Sequence, residues 1–518
     1  MVDLKKLENF GLLMSYKALN NNESNLIKLL DNSIDELDLV LLSIASYHED
    51  ESSKLMGWIF NSLAKNKKQR AKCKNYTHAT ARSERLVVWE NILKNKEITR
   101  RKSYKKSLDY ICNLLMTSND NFNRDFTFES ELSSISVMQY RDNYSMQFIR
   151  AIEIFLMNSR LNSYVELFKS TYGVEVKDYI YVVYCTVIRF FKFKKIDYFR
   201  PYQIEQWKLL VEDPIFRKID RIIVKRVLDT ISNDIESYCD DLKNKKSSVR
   251  DFSVFCNKPL LKLKNEEYIP LDGKLLEDLI FNNLFYKFLD MQNNNGFMSD
   301  FGFAFEDYVC KLVNESCSYR ETYTYIPEFE FRYNKNQNKS HDAIIYNESK
   351  DSALAIEVKS SRFLNSMLVS EDNNCSFDKT VNKLLIRPWE QMMKSLTGIM
   401  KSNAEPRFSE RTTFFFLCVT MNDIPMYPLE ITLNQEGRDI TKYFFSMNIE
   451  AFEIFMEILS VESEYCFGSV LLGYLEHKKV MSIKTYLSRI REHNNLTNLK
   501  LRSSRTNKLN DFFSYIDG

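Results

Sequence analysis

Apolar residues recur at helical spacing through most of the first half of the chain. Positions three and four apart share one helix face, so this spacing predicts helices over residues 108–116, 145–161, 176–193 and 218–243. Strand-like alternation is rare in the same stretch. We therefore expect residues 1–250 to form a mainly helical N-terminal domain.

The hydrophobic pattern changes after residue 251. Two short apolar runs, 259–263 and 268–271, are separated by polar residues and predict a small hairpin. A helix is expected from 274 to 291. We therefore interpret residues 251–296 as a connecting hairpin and helix.

From residue 297 onward, helical spacing alternates with short strand-like runs. The order predicts an α/β core over residues 297–435, a mixed sheet flanked by helices, followed by C-terminal helices and a basic tail over 436–518. In chain order the expected elements of the core are a helix at 301–314, a strand at 319–325, a hairpin of strands at 343–346 and 353–359, a helix at 377–401 that Pro388 kinks, and strands at 412–420 and 427–434.

Length and composition narrow the class of protein. A chain of 518 residues is long enough for several cores. Its ten cysteines include no C-x-x-C pair, which favours a reduced, cytoplasmic protein over a disulfide scaffold or zinc module. There is no G-x-x-x-x-G-K-[ST] motif, so an ATP-driven step would need a separate ATPase subunit. We expect no membrane association, because the longest apolar run is too short to span a bilayer.

Positive charge is concentrated in one stretch of the predicted helical domain. Residues 65–106 contain fifteen Lys or Arg against three Glu, a local charge of +12, whereas the whole chain carries +2. Tyr76, Trp89 and Tyr104 are interleaved with these charges. Such a segment could follow a phosphate backbone, and a solvated helix face is the alternative.

The residues with the clearest chemistry lie in the predicted hairpin of the α/β core. Asp342 opens its first apolar run, and Glu357-Val358-Lys359 closes the second. Alternation along a strand puts Glu357 and Lys359 on one face and Val358 on the other. Antiparallel pairing would bring Asp342 close to Glu357. Two carboxylates at one sheet edge suit Mg²⁺, which prefers hard oxygen ligands and keeps several waters.

These residues resemble a known nuclease signature. Asp342 followed by Glu357-Val358-Lys359 is similar to the PD-(D/E)XK motif of the restriction endonuclease-like nuclease superfamily, with His341 where the family name has proline. The family core carries a further acid on the helix before the sheet, and Glu306 matches it. The resemblance spans residues 302–420.

The resemblance implies a metal-dependent endonuclease that hydrolyses DNA, working in bacterial phage defence, restriction or repair. Its cofactor would be Mg²⁺, with Mn²⁺ as a substitute. Asp342 and Glu357 would hold the metal, Glu306 and the Val358 backbone carbonyl would be further ligands, and Lys359 would position the attacking water.

The resemblance also extends to the helix after the hairpin. Some branches of the superfamily use a glutamine there, near the metal, and Gln391 stands at that place. Lys383 and Arg387 would lie near the DNA. A solvated helix face is the alternative interpretation of these three residues.

Two alternative functions remain open at this stage. One is a non-catalytic nucleic-acid-binding or scaffolding protein on a nuclease-like fold, and the other is a nuclease acting on RNA. The intact Asp342, Glu357 and Lys359 favour catalysis, because a protein without activity need not keep them. The partners expected are DNA, a separate ATPase or other defence subunit, and a second copy of the chain.

The basic segment generates a prediction about DNA affinity. Replacing Arg100, Arg101, Lys105 and Lys106 by glutamine should weaken binding about equally for all DNA sequences. Because each phosphate contact releases condensed counterion, the slope of log K against log salt should flatten by up to roughly four units. Binding assays over a salt series measure both quantities, and unchanged affinity with an unchanged slope would assign the segment to a solvated or protein-docking face.

Overall fold

The computed structural model divides the chain into two compact units. One consists of Met1–Phe148 with Glu166–Phe288, and the other of Ile149–Val165 with Leu289–Gly518. Every helix among the described residues is too short or too polar to cross a membrane. The residues that the structure describes are 13–22, 25–30, 34–47, 51–74, 76, 78–94, 103–122, 143–192, 201–244, 252–291, 296–361, 382–422, 434–435, 438–439, 443–478 and 481–517.

The first unit is largely helical, as the hydrophobic spacing predicts, and holds one small sheet. In that sheet β2 pairs with β1 in parallel and with β3 in antiparallel fashion. Its strands are β1 (Ser232–Asn233), β2 (Leu260–Lys262) and β3 (Tyr268–Pro270). The helices up to its end are α1 (Tyr16–Asn20), α2 (Leu26–Leu30), α3 (Glu36–Tyr47), α4 (Glu51–Trp58), α5 (Lys67–Cys73), α6 (Arg82–Lys94), α7 (Tyr104–Phe122), α8 (Tyr144–Ala151), α9 (Asn162–Tyr172), α10 (Val176–Phe191), α11 (Pro201–Glu205), α12 (Arg221–Thr230), α13 (Ile235–Lys243), α14 (Ser253–Asn257), α15 (Gly273–Asp278) and α16 (Asn282–Asp290).

Aromatic side chains with bonded polar tips form the core of this unit. Trp207 is fully buried, donates from Nε1 to Ser43 Oγ at 2.9 Å, and meets the ring of Tyr47 edge to face. Trp89 is equally buried and donates from Nε1 to Ser46 Oγ at 3.2 Å. Both serines lie on α3, so one helix supplies acceptors that let two indoles be buried without an unpaired N–H.

The basic segment at residues 65–106 is only partly a surface. Lys105 and Lys106 are exposed, whereas Arg82 is buried and pairs with Asp272 at 3.1 Å. Trp89, which is interleaved with these charges in the sequence, has its ring in the core. Arg100 and Arg101 lie outside the described residues, so their part of the prediction stays as stated.

The second unit is built on a mixed sheet of five strands in the order β12-β9-β8-β7-β4. The strands of this unit are β4 (Tyr323–Pro327), β5 (Glu330–Tyr333), β6 (Asn336–Lys339), β7 (Ala343–Asn347), β8 (Ser352–Lys359), β9 (Thr413–Thr420), β10 (Asn434–Gln435), β11 (Arg438–Asp439) and β12 (Phe444–Asn448). Its later helices are α17 (Gly296–Ser318), α18 (Arg387–Ser402), α19 (Ile449–Leu459), α20 (Phe467–His477), α21 (Ile483–His493) and α22 (Leu499–Asp517).

Strand directions in the main sheet follow from the connections. β7 is antiparallel to both of its neighbours, β4 and β8, and a short turn joins β7 to β8. β8, β9 and β12 are parallel, and α18 lies in the chain between β8 and β9. This crossover through a helix is what parallel neighbours require. β8 is buried along nearly its whole length, as its continuous apolar run indicates.

Several elements differ from those that the sequence predicts. The first strand begins at Tyr323, not at residue 319, and the hairpin of β5 and β6 was not expected. Neither was β12, the edge partner of β9. A π-helical turn, Asn382–Ile386, leads directly into α18, and Pro388 lies at the junction of the two. Of the strand predicted at 427–434, the structure describes residue 434 alone.

The C-terminal residues are helical. From sequence the basic tail from Lys500 could be flexible or touch DNA, and the structure has it as the helix α22. Two ion pairs fasten this helix: Lys508 Nζ with Glu153 at 2.6 Å and Arg502 Nε with Glu457 at 2.8 Å. The tail charges therefore serve the fold, at least at these two positions.

A buried ionic network joins the two chain segments of the second unit. Arg150 is fully buried and contacts Glu453 through two bonds, Nε to Oε1 at 2.8 Å and Nη2 to Oε2 at 3.0 Å. Tyr308 donates its hydroxyl to the same Oε1 at 2.7 Å. Paired geometry with a third donor is what makes burial of such charges tolerable.

This network generates a stability prediction. Glu453→Ala should lower the free energy of unfolding by about 3–5 kcal/mol, because it removes the carboxylate that forms two bonds with the buried Arg150 guanidinium. The Arg150→Met/Glu453→Leu double variant should recover most of that loss. Asp307→Ala, which breaks a pair with Arg160 whose side chains are 49% and 53% exposed, is the control and should cost at most about 1 kcal/mol. Chemical denaturation measures all three, and an equal loss in both single variants would contradict the assignment.

Candidate active site

The register of β7 against β8 brings the two motif acids together. Ala343 is the partner of Ile356, so the preceding residue, Asp342, lies opposite Glu357. Asp342 also accepts the backbone N–H of Val358 through Oδ2 at 2.7 Å. The acid before one strand is thus bonded to the end of the next strand, as the antiparallel hairpin was expected to arrange.

Side-chain alternation places Glu357 and Lys359 toward α18. Ala353 and Ala355 pack with side chains of the α18 region, and residues two further along a strand share that face. Lys359 Nζ donates to Glu357 Oε1 at 2.7 Å and to Gln391 Oε1 on α18 at 3.4 Å. Gln391 therefore reaches the motif lysine.

The third acid, Glu306, comes from α17, which packs against β4, β7 and β8. A Cβ at Gly302 would lie 3.3 Å from Ser360 Oγ, so this helix approaches the residue after Lys359 closely. Two turns further on, Cys310 Sγ donates to the Asp342 carbonyl at 3.4 Å. Glu306 lies between these two points of contact and is half-buried.

Burial and mutual repulsion change the acidity of all three acids. Burial raises the pKa of Glu357 to about 7, and the charge of Asp342 adds to the effect. Burial likewise raises the pKa of Glu306 to about 7, followed by the charges of Asp342 and Glu328. The pKa of Asp342 is raised by burial against the opposing bond from Val358 N–H. A cation at this point would relieve the repulsion that these shifts express.

Lys359 supplies the only ammonium bonded to a motif acid among the described residues. Burial acts to lower its pKa, and the carboxylates of Glu357 and Asp342 outweigh that effect, so the pKa of Lys359 is raised. Its partner Glu357 nevertheless keeps a raised pKa, because burial and Asp342 exceed the help that one ammonium gives. We conclude that the site is short of positive charge even with Lys359 in place.

Two further charged residues near the site were not identified in the sequence. Glu328 precedes β5, and its charge raises the pKa of Glu306 and Asp342. Lys339, at the end of β6, bonds Glu328 at 2.8 Å. No sequence motif includes Glu328 or Lys339, and the β5–β6 hairpin that brings them near the site was not predicted.

His341 is an uncharged neighbour of the first acid. It is 1% exposed, and neither ring nitrogen has a hydrogen-bond partner within the described residues. Burial lowers its pKa to about 4, so the imidazole is neutral near pH 7. Its ring meets that of Phe416 edge to face. His341 therefore fills apolar space at the position where the superfamily name has proline.

The three residues of this helical segment that were expected near DNA differ in what they contact. Lys383 and Arg387 are exposed at the start of the helical segment that ends in α18. Of Lys383, Arg387 and Gln391, it is Gln391 that contacts a motif residue among those the structure describes. The geometry allows Lys383 and Arg387 to meet a ligand from solvent, and nothing in it identifies that ligand.

The donor set is compatible with Mg²⁺ but is not a closed cage. Within the described residues, no three His, Cys, Asp or Glu side chains are placed together as metal ligands. Mg²⁺ is commonly bound through one or two carboxylates with waters completing its shell. Asp342 and Glu357 are such a pair, and their raised pKa values show carboxylates that lack compensating charge. The residues present therefore fit a two-carboxylate site better than a three-ligand one.

Comparison of the chain with protein-family models, with curated proteins and with solved structures finds no match. The resemblance to the PD-(D/E)XK superfamily and to its restriction endonuclease-like core therefore stays a prediction carried by Asp342, Glu357-Val358-Lys359 and Glu306.

The raised pKa of Glu357 generates a prediction about stability and pH in the metal-free protein. Glu357 has a pKa of about 7 when folded and an ordinary value of 4.5. The stability gained from its proton is complete below pH 4.5 and is lost as pH rises through about 7. Wild type should therefore lose stability between about pH 5 and about pH 8, and Glu357→Gln should lose less, by up to about 3 kcal/mol.

Denaturation at both pH values in EDTA measures this difference. Glu410→Gln, at an exposed carboxyl of the same unit, is the matched control and should follow wild type. Parallel pH profiles for wild type and Glu357→Gln would show that Glu357 is ionised throughout, and would remove the argument that the site lacks positive charge.

Proposed function

We propose that this protein is a Mg²⁺-dependent nuclease that hydrolyses phosphodiester bonds in DNA. The observation that carries the proposal is the meeting of Asp342, Glu357 and Lys359 at one end of the β7–β8 hairpin. Two acids and one lysine converge at one end of two inner strands, and a third acid lies on a neighbouring helix. These are the groups that metal-assisted hydrolysis of a phosphodiester needs.

Each side chain has a role in this proposal. Asp342 and Glu357 would hold Mg²⁺, or Mn²⁺ in its place, with the Val358 carbonyl and Glu306 as further ligands directly or through water. When bound, the metal would lower the pKa of a coordinated water and offset charge on the phosphate.

Lys359 would hold the attacking water by hydrogen bonding and stabilise the negative charge that grows on the phosphate oxygens. In the structure its ammonium is bonded to Glu357 at 2.7 Å and reaches Gln391 at 3.4 Å. A cation on Glu357 would weaken the first of these bonds, and Gln391 offers an acceptor that keeps Lys359 at the site.

The setting in phage defence, restriction or repair is part of the same proposal and rests on the resemblance alone. DNA is proposed as substrate over RNA for the same reason. The proposal is therefore tested with linear, circular and single-stranded DNA and with RNA, each with and without Mg²⁺.

Substitution of the site generates the central prediction. Asp342→Ala, Glu357→Ala and Lys359→Ala should each abolish Mg²⁺-dependent cleavage, because each removes a term worth several kcal/mol of the barrier. Matched controls lie at the other end of the same hairpin, where Glu348 and Lys350 are exposed in the turn between β7 and β8. Glu348→Gln and Lys350→Gln should cleave as wild type does. Full cleavage by Glu357→Ala and Lys359→Ala would sink the assignment.

A second readout separates metal binding from catalysis. Mg²⁺ or Mn²⁺ should raise the melting temperature of wild type by mass action, and the Asp342→Ala/Glu357→Ala variant should lose that shift. An equal shift in both proteins would mean that the ion binds elsewhere. DNA binding with no metal shift and no cleavage would instead favour the non-catalytic alternative.

A further inference from the structure

An exposed aromatic ring stands beside the candidate site with a guanidinium over it. Phe303 on α17 is 47% exposed, although most phenylalanines in the described chain are buried. The Cζ atom of Arg160 lies 5.1 Å from the centre of its ring. Both residues belong to the second unit, so this pair is a feature of the same body that carries the acids.

The position of this ring relative to the acids follows from helix geometry. Phe303 and Glu306 are three residues apart on α17, hence neighbours on its surface and about 4.5 Å apart along the axis. The residue before Phe303 is Gly302, which approaches Ser360 just beyond Lys359. The ring therefore lies on the helix that carries Glu306 and that approaches the end of β8.

Arg160 is oriented by neighbours that leave most of its donors available. Its Nε lies 3.4 Å from Asp307 Oδ2, which also accepts from Asn158 Nδ2 at 3.0 Å. Its two Nη groups make no hydrogen bond to other described residues. The planar group is thus held over the ring of Phe303 while its outer donors face solvent, with the side chain 49% exposed.

We propose that Phe303 and Arg160 form a stacking platform for an unpaired base of the DNA strand whose phosphate enters the carboxylate site. The proposal rests on the proposed nuclease function and deepens it, because it names the substrate as DNA with a single-stranded stretch at the cleavage point. Bases in a duplex are already stacked on both faces and cannot use such a platform. An unpaired base can, and every base has a π-face to offer.

The arrangement suits this occupant in two respects. A half-exposed aromatic ring gains from a flat apolar partner, and the guanidinium adds a cation–π contribution together with donors for a phosphate. Arg160 is bonded to Asp307, the residue after Glu306, and presents its guanidinium to solvent, where it can meet a phosphate.

Binding without metal tests the platform independently of cleavage. Fluorescence anisotropy in EDTA would compare a labelled single strand with a blunt duplex of the same sequence. Phe303→Leu should weaken single-strand binding about 5- to 150-fold, the range that one base–aromatic stack gives, and leave duplex binding unchanged. Phe303→Trp should retain the single-strand affinity. Leu472→Ala, at another exposed apolar residue of this unit (40% exposed), is the matched control and should change neither.

A single abasic site moved along the strand sharpens the test. At the position that meets the platform, the loss from the missing base and the loss from Phe303→Leu should not add, because both remove the same contact. Additive losses at every position would overturn the proposal. Equal losses of affinity for single strand and duplex would also overturn it. An Arg160→Gln variant that melts at a lower temperature but binds DNA as wild type does would show that the pair is a packing contact only.

The outcomes also separate this proposal from the nuclease function. If wild type cleaves DNA and Phe303→Leu binds and cleaves all forms equally well, the platform fails and the nuclease stands. If no nucleic acid is cleaved but the single-strand preference depends on Phe303, the nuclease proposal fails and the platform stands.

Discussion

The pairing register of β7 and β8 is the constraint on which the candidate site depends. With Ala343 opposite Ile356, Asp342 falls opposite Glu357 and bonds the next amide. A slip of one residue would send Glu357 and Lys359 to the other face of the sheet, away from Gln391. The register is held by burial on both faces of β8, where nearly every residue is inaccessible to solvent. The apolar run before the acids is therefore what fixes the chemistry after it.

That same burial creates the electrostatic tension of the site. Carboxylates at the end of a buried strand lose hydration, and their pKa values rise. Lys359 offsets part of this rise through its bond to Glu357. Near Asp342, the charge of Glu328 raises the pKa further and that of Lys339 lowers it. The fold thus holds a cluster of acids whose negative charge is only partly neutralised by neighbouring groups. Carboxylates with raised pKa values of this kind are found at sites that bind a cation or transfer a proton.

The sequence was sufficient where a local pattern determines the structure. The run of apolar residues ending in Glu357-Val358-Lys359, the turn after Asn347 and the helical span Ile449–Leu459 each follow from spacing and turn chemistry within a few residues. The sequence was insufficient where partners distant in the chain decide. The polar β5–β6 hairpin lacks a buried face along most of its length, the strand Phe444–Asn448 depends on β9 for its pairing, and the burial of Trp89 follows from contact with α3. Phe303 reads as one more core phenylalanine until its exposure and Arg160 are seen together.

The second unit is assembled from two pieces of chain, and the segment Glu166–Phe288 of the first unit lies between them in sequence. Arg150 and Glu453, which join those pieces, are 303 residues apart in sequence. During synthesis, the short segment Ile149–Val165 emerges long before Glu453, so the second unit cannot close around this pair until the residues up to Glu453 have been made. Long-range closure of this kind slows folding. A nascent chain that stops before Glu453 therefore has only one half of this ion pair, and the buried network that joins the two pieces of the second unit forms late.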